Sequence, residues 1–237
     1  MKYRAVLFDM DGTILDTVAD LNASINYALE KCGHRHDFTL EDTKRLFGSG
    51  VHTAIQRALS MESGHDEESF LIRIGTPEYM TVPGIDENEV AAIEQIFRPY
   101  YLEHSLDRTG PYDGIPELLS SLRSLGLTTA VLSNKPDPAV RKLADDIFPG
   151  LFDAAAGERP GIRRKPAPDM TQAMLAELGL LAGEALYIGD SEVDVETAAA
   201  SGLDCVCVSW GFRSRTFLEA LHPLAVIDRA KDLIPLL

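Results

Sequence analysis

Two carboxylates stand two residues apart at the end of an apolar run, Ala5-Val6-Leu7-Phe8-Asp9-Met10-Asp11, and Gly12 and Thr13 follow at once. Three further polar clusters lie downstream: Ser133 with Asn134, then Lys165, then Asp190 with Asp194. A carboxylate can attack phosphorus and form an aspartyl-phosphate. A dianionic phosphate repels such a nucleophile, so cations must stand between them. Asp9 and Asp190 are hard oxygen ligands suited to Mg²⁺, which keeps several waters and takes one or two carboxylates. Lys165 would add a point charge. The Ser133 hydroxyl, with backbone N–H groups near Asn134, would hold the transferred oxygens, since phosphoryl transfer is catalysed mainly by positioning and charge stabilisation. Asp11, on the side of Asp9 if the backbone stays extended, is placed to protonate a leaving oxygen and then activate water.

Elements must bring these clusters together. The apolar run ending at Asp9 predicts a buried strand. Val18, Leu21, Ile25, Leu29 and Cys32 recur at helical spacing, with Ile14 to Thr17 leading in and Gly33 as the stop. Thr39-Leu40-Glu41-Asp42 reads as a capped start of a short helix that breaks at Gly48-Ser49-Gly50. A third helix carries Val51, Ala54, Ile55, Ala58 and Leu59, and another carries Val90, Ile93, Phe97 and Tyr101. Residues 60–89 hold Gly64, Gly75, Pro77, Pro83 and Gly84 and predict irregular chain with one short helix near 70–72. No strand-like run occurs between Asp16 and Asp107, so a block of helices is inserted after the first strand.

Beyond Tyr112 helix and strand alternate. Strands are predicted at 127–132, 152–156, 185–188, 205–208 and 225–227, and helices at 116–125, 138–147, 168–178 and 193–201. Such alternation implies an α/β fold, a parallel sheet with right-handed crossovers and helices on both faces. In a parallel sheet the strand ends of one sense share an edge, where ligand sites lie. Each cluster alone has an ordinary reading: an Asp after a strand caps a helix, a Ser closes a turn, a Lys is solvated. Their order and common edge argue for convergence.

The composition narrows the partners. Of 237 residues 45% are hydrophobic, and the formal net charge is −15. That acidity argues against a nucleic-acid surface, which needs clustered cations. No apolar stretch approaches the ~20 residues of a membrane span, and no signal peptide is evident. Three cysteines, Cys32, Cys205 and Cys207, do not suggest a disulfide framework. Cys205 and Cys207 read as buried strand residues. A cytoplasmic enzyme, monomeric or homodimeric, is the expectation.

The residues also carry a resemblance. Asp9-Met10-Asp11-Gly12-Thr13, Leu132-Ser133-Asn134, Arg164-Lys165-Pro166 and Gly189-Asp190-Ser191 with Asp194 resemble, in order, the four motifs of the haloacid dehalogenase superfamily. Lys135-Pro136, Pro166-Ala167-Pro168 and Trp210-Gly211 are similar to its phosphoglycolate phosphatase-like members. The resemblance implies a Rossmann-like core over 1–15 and 108–237 and an all-helical cap of the C1 type over 16–107. It implies a Mg²⁺-dependent phosphatase acting on a small phosphorylated metabolite through an aspartyl-phosphate. Asp9 would be nucleophile and metal ligand, Asp11 general acid/base and ligand through its carbonyl, and Thr13 a brace for the loop. Thr13, Ser133, Asn134 and Lys165 would serve the phosphoryl group, and Asp190 and Asp194 the metal.

Gly48-Ser49-Gly50 resembles a Gly-Asn-Gly cap loop with Ser49 in place of Asn, and is a candidate substrate contact. Lys44, Arg45, His52 and Arg57 are candidate carboxylate binders, and Arg163 and Arg164 a source of positive potential. A phosphomutase of the β-phosphoglucomutase type, an inorganic pyrophosphatase and a non-catalytic binding protein are the alternatives. In such mutases Val often stands where this chain has Thr13, which favours hydrolysis.

Overall fold

The computed structural model describes residues 2–76 and 79–237. Pro77, one of the breakers noted in 60–89, lies outside them. The chain forms two compact units. One runs to Asp16 and resumes over Gly110–Leu237; the other is Thr17–Thr109.

The first unit is built on a six-stranded parallel sheet in the order β5-β4-β1-β6-β7-β8. The strands are β1 (Ala5–Phe8), β4 (Thr128–Pro136), β5 (Ala154–Glu158), β6 (Ala185–Gly189), β7 (Asp204–Val208) and β8 (Ala225–Ile227). A short antiparallel pair, β2 (Leu15–Asp16) with β3 (Gly110–Pro111), marks where the chain leaves and re-enters the unit. Helices α6 (Ile115–Ser124), α7 (Asp137–Ile147), α8 (Asp169–Leu178), α9 (Glu192–Ser201) and α10 (Arg215–Ala220) provide the crossovers.

Alternation along each strand feeds two cores. Val6, Phe8, Val131, Val206 and Val208 pack into one, and Ala5, Leu7, Ala130, Leu132, Cys205 and Cys207 into the other. A parallel sheet covered on both faces needs such continuous apolar runs. Both cysteines are buried, as their spacing predicts. Leu7 is fully buried, so Leu7→Ala would cost about 2–5 kcal/mol.

β1 lies centrally between β4 and β6, with Phe8 level with Val131 and Ile188. The chain runs outward from β1 to β4 and β5, then returns beside β1 at β6. That reversal is the switch point at which α/β sheets open a crevice.

Three features depart from the sequence expectation. Leu15–Asp16 is a strand rather than a lead into helix, because its backbone finds a partner at Gly110–Pro111. Helix α10 was not anticipated; its six residues are too few to show a period. The strand expected to stop at Leu132 continues to Pro136, but its pairing with β5 shifts between Leu132 and Pro136. Such irregularities re-aim side chains beside active sites.

The second unit is helical: α1 (Val18–Lys31), α2 (Leu40–Leu46), α3 (Val51–Glu62), α4 (Glu68–Leu71) and α5 (Glu87–His104). Thr39 and Asp42 form the expected capping box of α2. Ile25, Leu29, Ile55, Val90, Ile93 and Phe97 are buried. Asp20 at the start of α1 accepts from the backbone N–H groups of Arg108 and Thr109 at 3.1 and 2.9 Å, tying the unit's first and last turns together. Among the described residues no helix is long and apolar enough to cross a membrane.

Candidate active site

Asp9 follows β1, where its backbone N–H donates to the Ile188 carbonyl at 2.8 Å. Its Oδ1 accepts from Lys165 Nζ at 2.7 Å. The same ammonium donates to Asp194 Oδ1 at 2.9 Å and contacts Tyr187 Oη at 3.1 Å. Lys165 is buried in the middle of this cluster. Burial alone would lower its pKa, but the Asp194 and Asp9 carboxylates overcome that and hold it well above its ordinary value. Burial pushes the Asp9 carboxyl up, to about 7, against the pull of Lys165 and with Asp194 and Asp11 pushing the same way.

Asp190 follows β6, the other neighbour of β1. Its Oδ1 accepts from Thr13 Oγ1 at 3.1 Å and its Oδ2 from the Phe212 N–H at 2.6 Å. Two glycines make room for it. A Cβ on Gly12 would lie 2.3 Å from Asp190 Oδ2, and one on Gly211 2.4 Å from the same atom. Burial first, then the Asp194 and Asp9 carboxylates, raise its pKa well above the usual range. Asp194 lies in the first turn of α9. Its Oδ2 accepts from the Asp190 and Ser191 N–H groups, both at 3.1 Å, and from Ser191 Oγ at 2.8 Å. Both Asp194 oxygens are therefore already engaged, and they orient Lys165 and the Asp190 turn.

The irregular end of β4 divides its side chains by alternation. Ser133 and Lys135 face Asp11: Ser133 Oγ donates to Oδ2 at 3.5 Å, and Lys135 Nζ stands 2.9 Å from Oδ1. Asn134 faces the other way. Its Nδ2 donates to the Lys165 carbonyl at 3.0 Å and its Oδ1 accepts from the Lys165 N–H at 2.9 Å. The Asn134 side chain thus holds the lysine loop, and the Thr13 hydroxyl holds Asp190.

The donor set fits a divalent cation. Asp9, Asp190 and Asp194 each offer an oxygen, all within 4.8 Å of one another and all buried. Burial disfavours the ionised forms of Asp9 and Asp190 and raises both pKa values, and a bound cation would offset that cost; oxygen donors are the preferred ligands of Mg²⁺.

Sequence reading missed four participants. Lys135 was quoted only as part of a motif. Tyr187 was read as a strand residue, although a buried tyrosine hydroxyl needs a partner. Trp210 Nε1 donates to the Thr13 carbonyl at 3.0 Å, and the Phe212 N–H reaches Asp190. No local signal assigns these two contacts: Trp210 was quoted only as part of a motif, and a backbone N–H has no sequence signature.

Gly48, Ser49 and Gly50 lie in the second unit, at the α2–α3 junction. Gly48 and Gly50 have φ of +114° and +89°, which β-carbons disfavour. Ser49 Oγ accepts from Arg57 Nη2 at 3.1 Å. Arg57 is fully buried and also donates to the carbonyls of Leu46, Leu71 and Ile74 at 3.0, 2.8 and 3.3 Å. It thereby pins residues 71–74, part of the stretch expected to be irregular, against α3. Gly75 joins them closely, since a Cβ there would meet Thr53 Oγ1 at 2.7 Å. Of the other cationic candidates, Lys44 pairs with Glu41, Arg45 with Asp42 and the Asp66 carbonyl, and His52 with Glu87 and Glu94. In the first unit, exposed Arg163 pairs with Asp169.

A family model of haloacid dehalogenase-like hydrolases matches residues 6–208. The phosphoglycolate phosphatase of Pseudomonas savastanoi pv. phaseolicola is 31% identical over 235 residues, 98% of this chain and 79% of that protein. A solved structure from Lactobacillus delbrueckii subsp. bulgaricus, to which phosphoglycolate phosphatase activity is ascribed, has a TM-score of 0.95 and 48% identity. It covers 98% of this chain and 97% of its own. A structure from Bacteroides vulgatus ascribed to the β-phosphoglucomutases, at TM-score 0.72 and 22% identity over 98% of this chain and 86% of its own, shares the fold alone. The chain is an enzyme of the phosphoric monoester hydrolase class and belongs to the haloacid dehalogenase-like hydrolases.

Proposed function

We propose that this enzyme hydrolyses a small phosphomonoester, 2-phosphoglycolate being the first candidate, through an aspartyl-phosphate on Asp9. The observation that carries the reading is the central carboxylate of Asp9, held by Lys165 at 2.7 Å and beside Asp190 and Asp194, with a second carboxylate two residues on. Asp9 attacks phosphorus, and the bond from phosphorus to the leaving oxygen breaks. The leaving alkoxide takes the proton of the Asp11 carboxylic acid. The Asp11 carboxylate then takes a proton from water as that water attacks phosphorus. The Asp9–phosphorus bond breaks, releasing inorganic phosphate and restoring Asp9. Lys165 neutralises charge between nucleophile and phosphate, and Ser133 with the backbone at Asn134 holds phosphoryl oxygens. Asp9, Asp190 and the Asp11 carbonyl would hold Mg²⁺, with Asp194 behind them. When bound, the ion supplies positive charge that lets a carboxylate meet a dianionic phosphate.

Residues 17–109 act as the cap in this reading, with substrate choice assigned to the Gly48-Ser49-Gly50 loop. The glycolate leaving group is favoured by the names of the relatives above and by the Trp210-Gly211 sequence. A phosphate-release screen over small phosphomonoesters tests the reading, with 2-phosphoglycolate, pyrophosphate and sugar phosphates included and isomer formation followed in parallel. Release of phosphate from 2-phosphoglycolate far faster than from the others supports it. Isomer formation without phosphate release would replace it with a mutase.

A further inference from the structure

We infer that Lys135 is the positioning residue of the leaving-group acid; this rests on the phosphatase reading above. The Lys135 side chain is only 6% exposed, and its ammonium lies 2.9 Å from Asp11 Oδ1. A lysine is rarely buried without a charge to meet. Here it meets Asp11, a carboxyl group that Lys165 does not hold.

The backbone explains why Lys135 meets Asp11. Alternation puts Ser133 and Lys135 on one side of β4, and the Lys135 N–H donates to Ser133 Oγ at 3.1 Å. Asn134, on the other side, is locked to both backbone polar groups of Lys165. Pro136 fixes the next φ. The neighbouring strand comes unusually close, since a Cβ on Gly157 would lie 2.4 Å from the Lys135 carbonyl. Three consecutive residues thus have three separate jobs: Ser133 reaches Asp11 Oδ2, Asn134 sets the Lys165 loop, and Lys135 sets Asp11 Oδ1.

The chemical consequence is selective. Through its contact with Asp11 Oδ1, Lys135 fixes where the acid delivers its proton. Its removal should therefore slow only those reactions whose leaving oxygen needs that proton. An alkoxide leaving group needs it, whereas 4-nitrophenolate departs as a stable anion.

The test measures kcat/KM, which reports the step that expels the leaving group, for 2-phosphoglycolate and 4-nitrophenyl phosphate. If the release screen favours another alkyl phosphomonoester, that ester replaces 2-phosphoglycolate. Lys135→Met is expected to lose about 30- to 100-fold on the alkyl ester, within the worth of general acid catalysis, and under about threefold on the aryl ester. Lys135→Arg should recover most of the loss. In an Asp11→Asn background, Lys135→Met should change the alkyl rate no further. Equal losses on both esters, or losses that add to Asp11→Asn, would overturn the inference. Lys135→Gln carries the same comparison if the Met variant does not fold, as judged by circular dichroism. Failure of both to fold would make Lys135 a structural residue and also overturn it. A wild type that releases phosphate from neither ester would defeat the phosphatase reading itself, a result separate from either.

Discussion

Each unit of this protein buries a cation at a structural focus, Lys165 in one and Arg57 in the other, and the two are used differently. Lys165 in the sheet unit meets full negative charges, Asp9 and Asp194. Arg57 in the helical unit donates to main-chain carbonyls at 46, 71 and 74 and to the Ser49 hydroxyl. A compact ammonium beside carboxylates leaves a site whose charge is ready to be redistributed when a phosphate arrives. A planar guanidinium with five donors suits a different task, satisfying many partial charges at once and so fixing the path of two loops. The first arrangement concentrates reactivity; the second holds shape for segments that have little regular structure of their own.

That contrast can be broken in order of effect. Asp9→Asn should lower phosphate release by more than roughly 10⁴-fold while leaving the circular dichroism of the protein unchanged, because a carboxamide is no nucleophile. Near-wild-type hydrolysis by that variant would remove the aspartyl-phosphate from the account. Chelation by EDTA should stop turnover, and added Mg²⁺ should restore it; full activity in the chelator would contradict the reading of the buried carboxylate cluster as a metal site. Gly211→Ala places a Cβ on Asp190, so a loss of about 100-fold in kcat is expected with a raised Mg²⁺ requirement, readable also by calorimetric titration of the ion.

In the helical unit the effects should appear as stability. Arg57→Met leaves buried carbonyls without their donor and should lower unfolding free energy by about 3–5 kcal/mol in urea titrations. Hydrogen exchange should speed up at 46–49 and 71–75, with the rate of the chemical step moving far less than in Asp9→Asn. Ser49→Ala removes one hydrogen bond and should cost only about 1 kcal/mol. If instead it cut turnover as deeply as Asp9→Asn, the division between the two units would be wrong.

Much of the sheet unit was legible because its signals are local. An apolar run that ends in Asp9, or in Gly189-Asp190, announces both a strand and the place where the strand stops. The residues 60–89 were hard to read because what orders part of them is distant in sequence: Arg57 reaches Leu71 and Ile74 across more than a dozen residues. The α2 cap at Thr39 was visible for the opposite reason, as its partner Asp42 is three residues away.

The sequence by itself determined the six strands of the parallel sheet, most of their alternation with helices, the acids at their ends and, through four ordered motifs, the family. Period and turn chemistry act over a few residues, so they can be read from a few residues. Only the tertiary structure decided which polar group answers which. Asn134 holds the Lys165 loop, Thr13 and the Phe212 N–H hold Asp190, and Lys135 rather than Lys165 meets Asp11. Those pairings span from 22 to 177 residues of chain. They exist because a parallel sheet brings distant strand ends to one edge, where burial makes an unmatched charge too costly to leave alone.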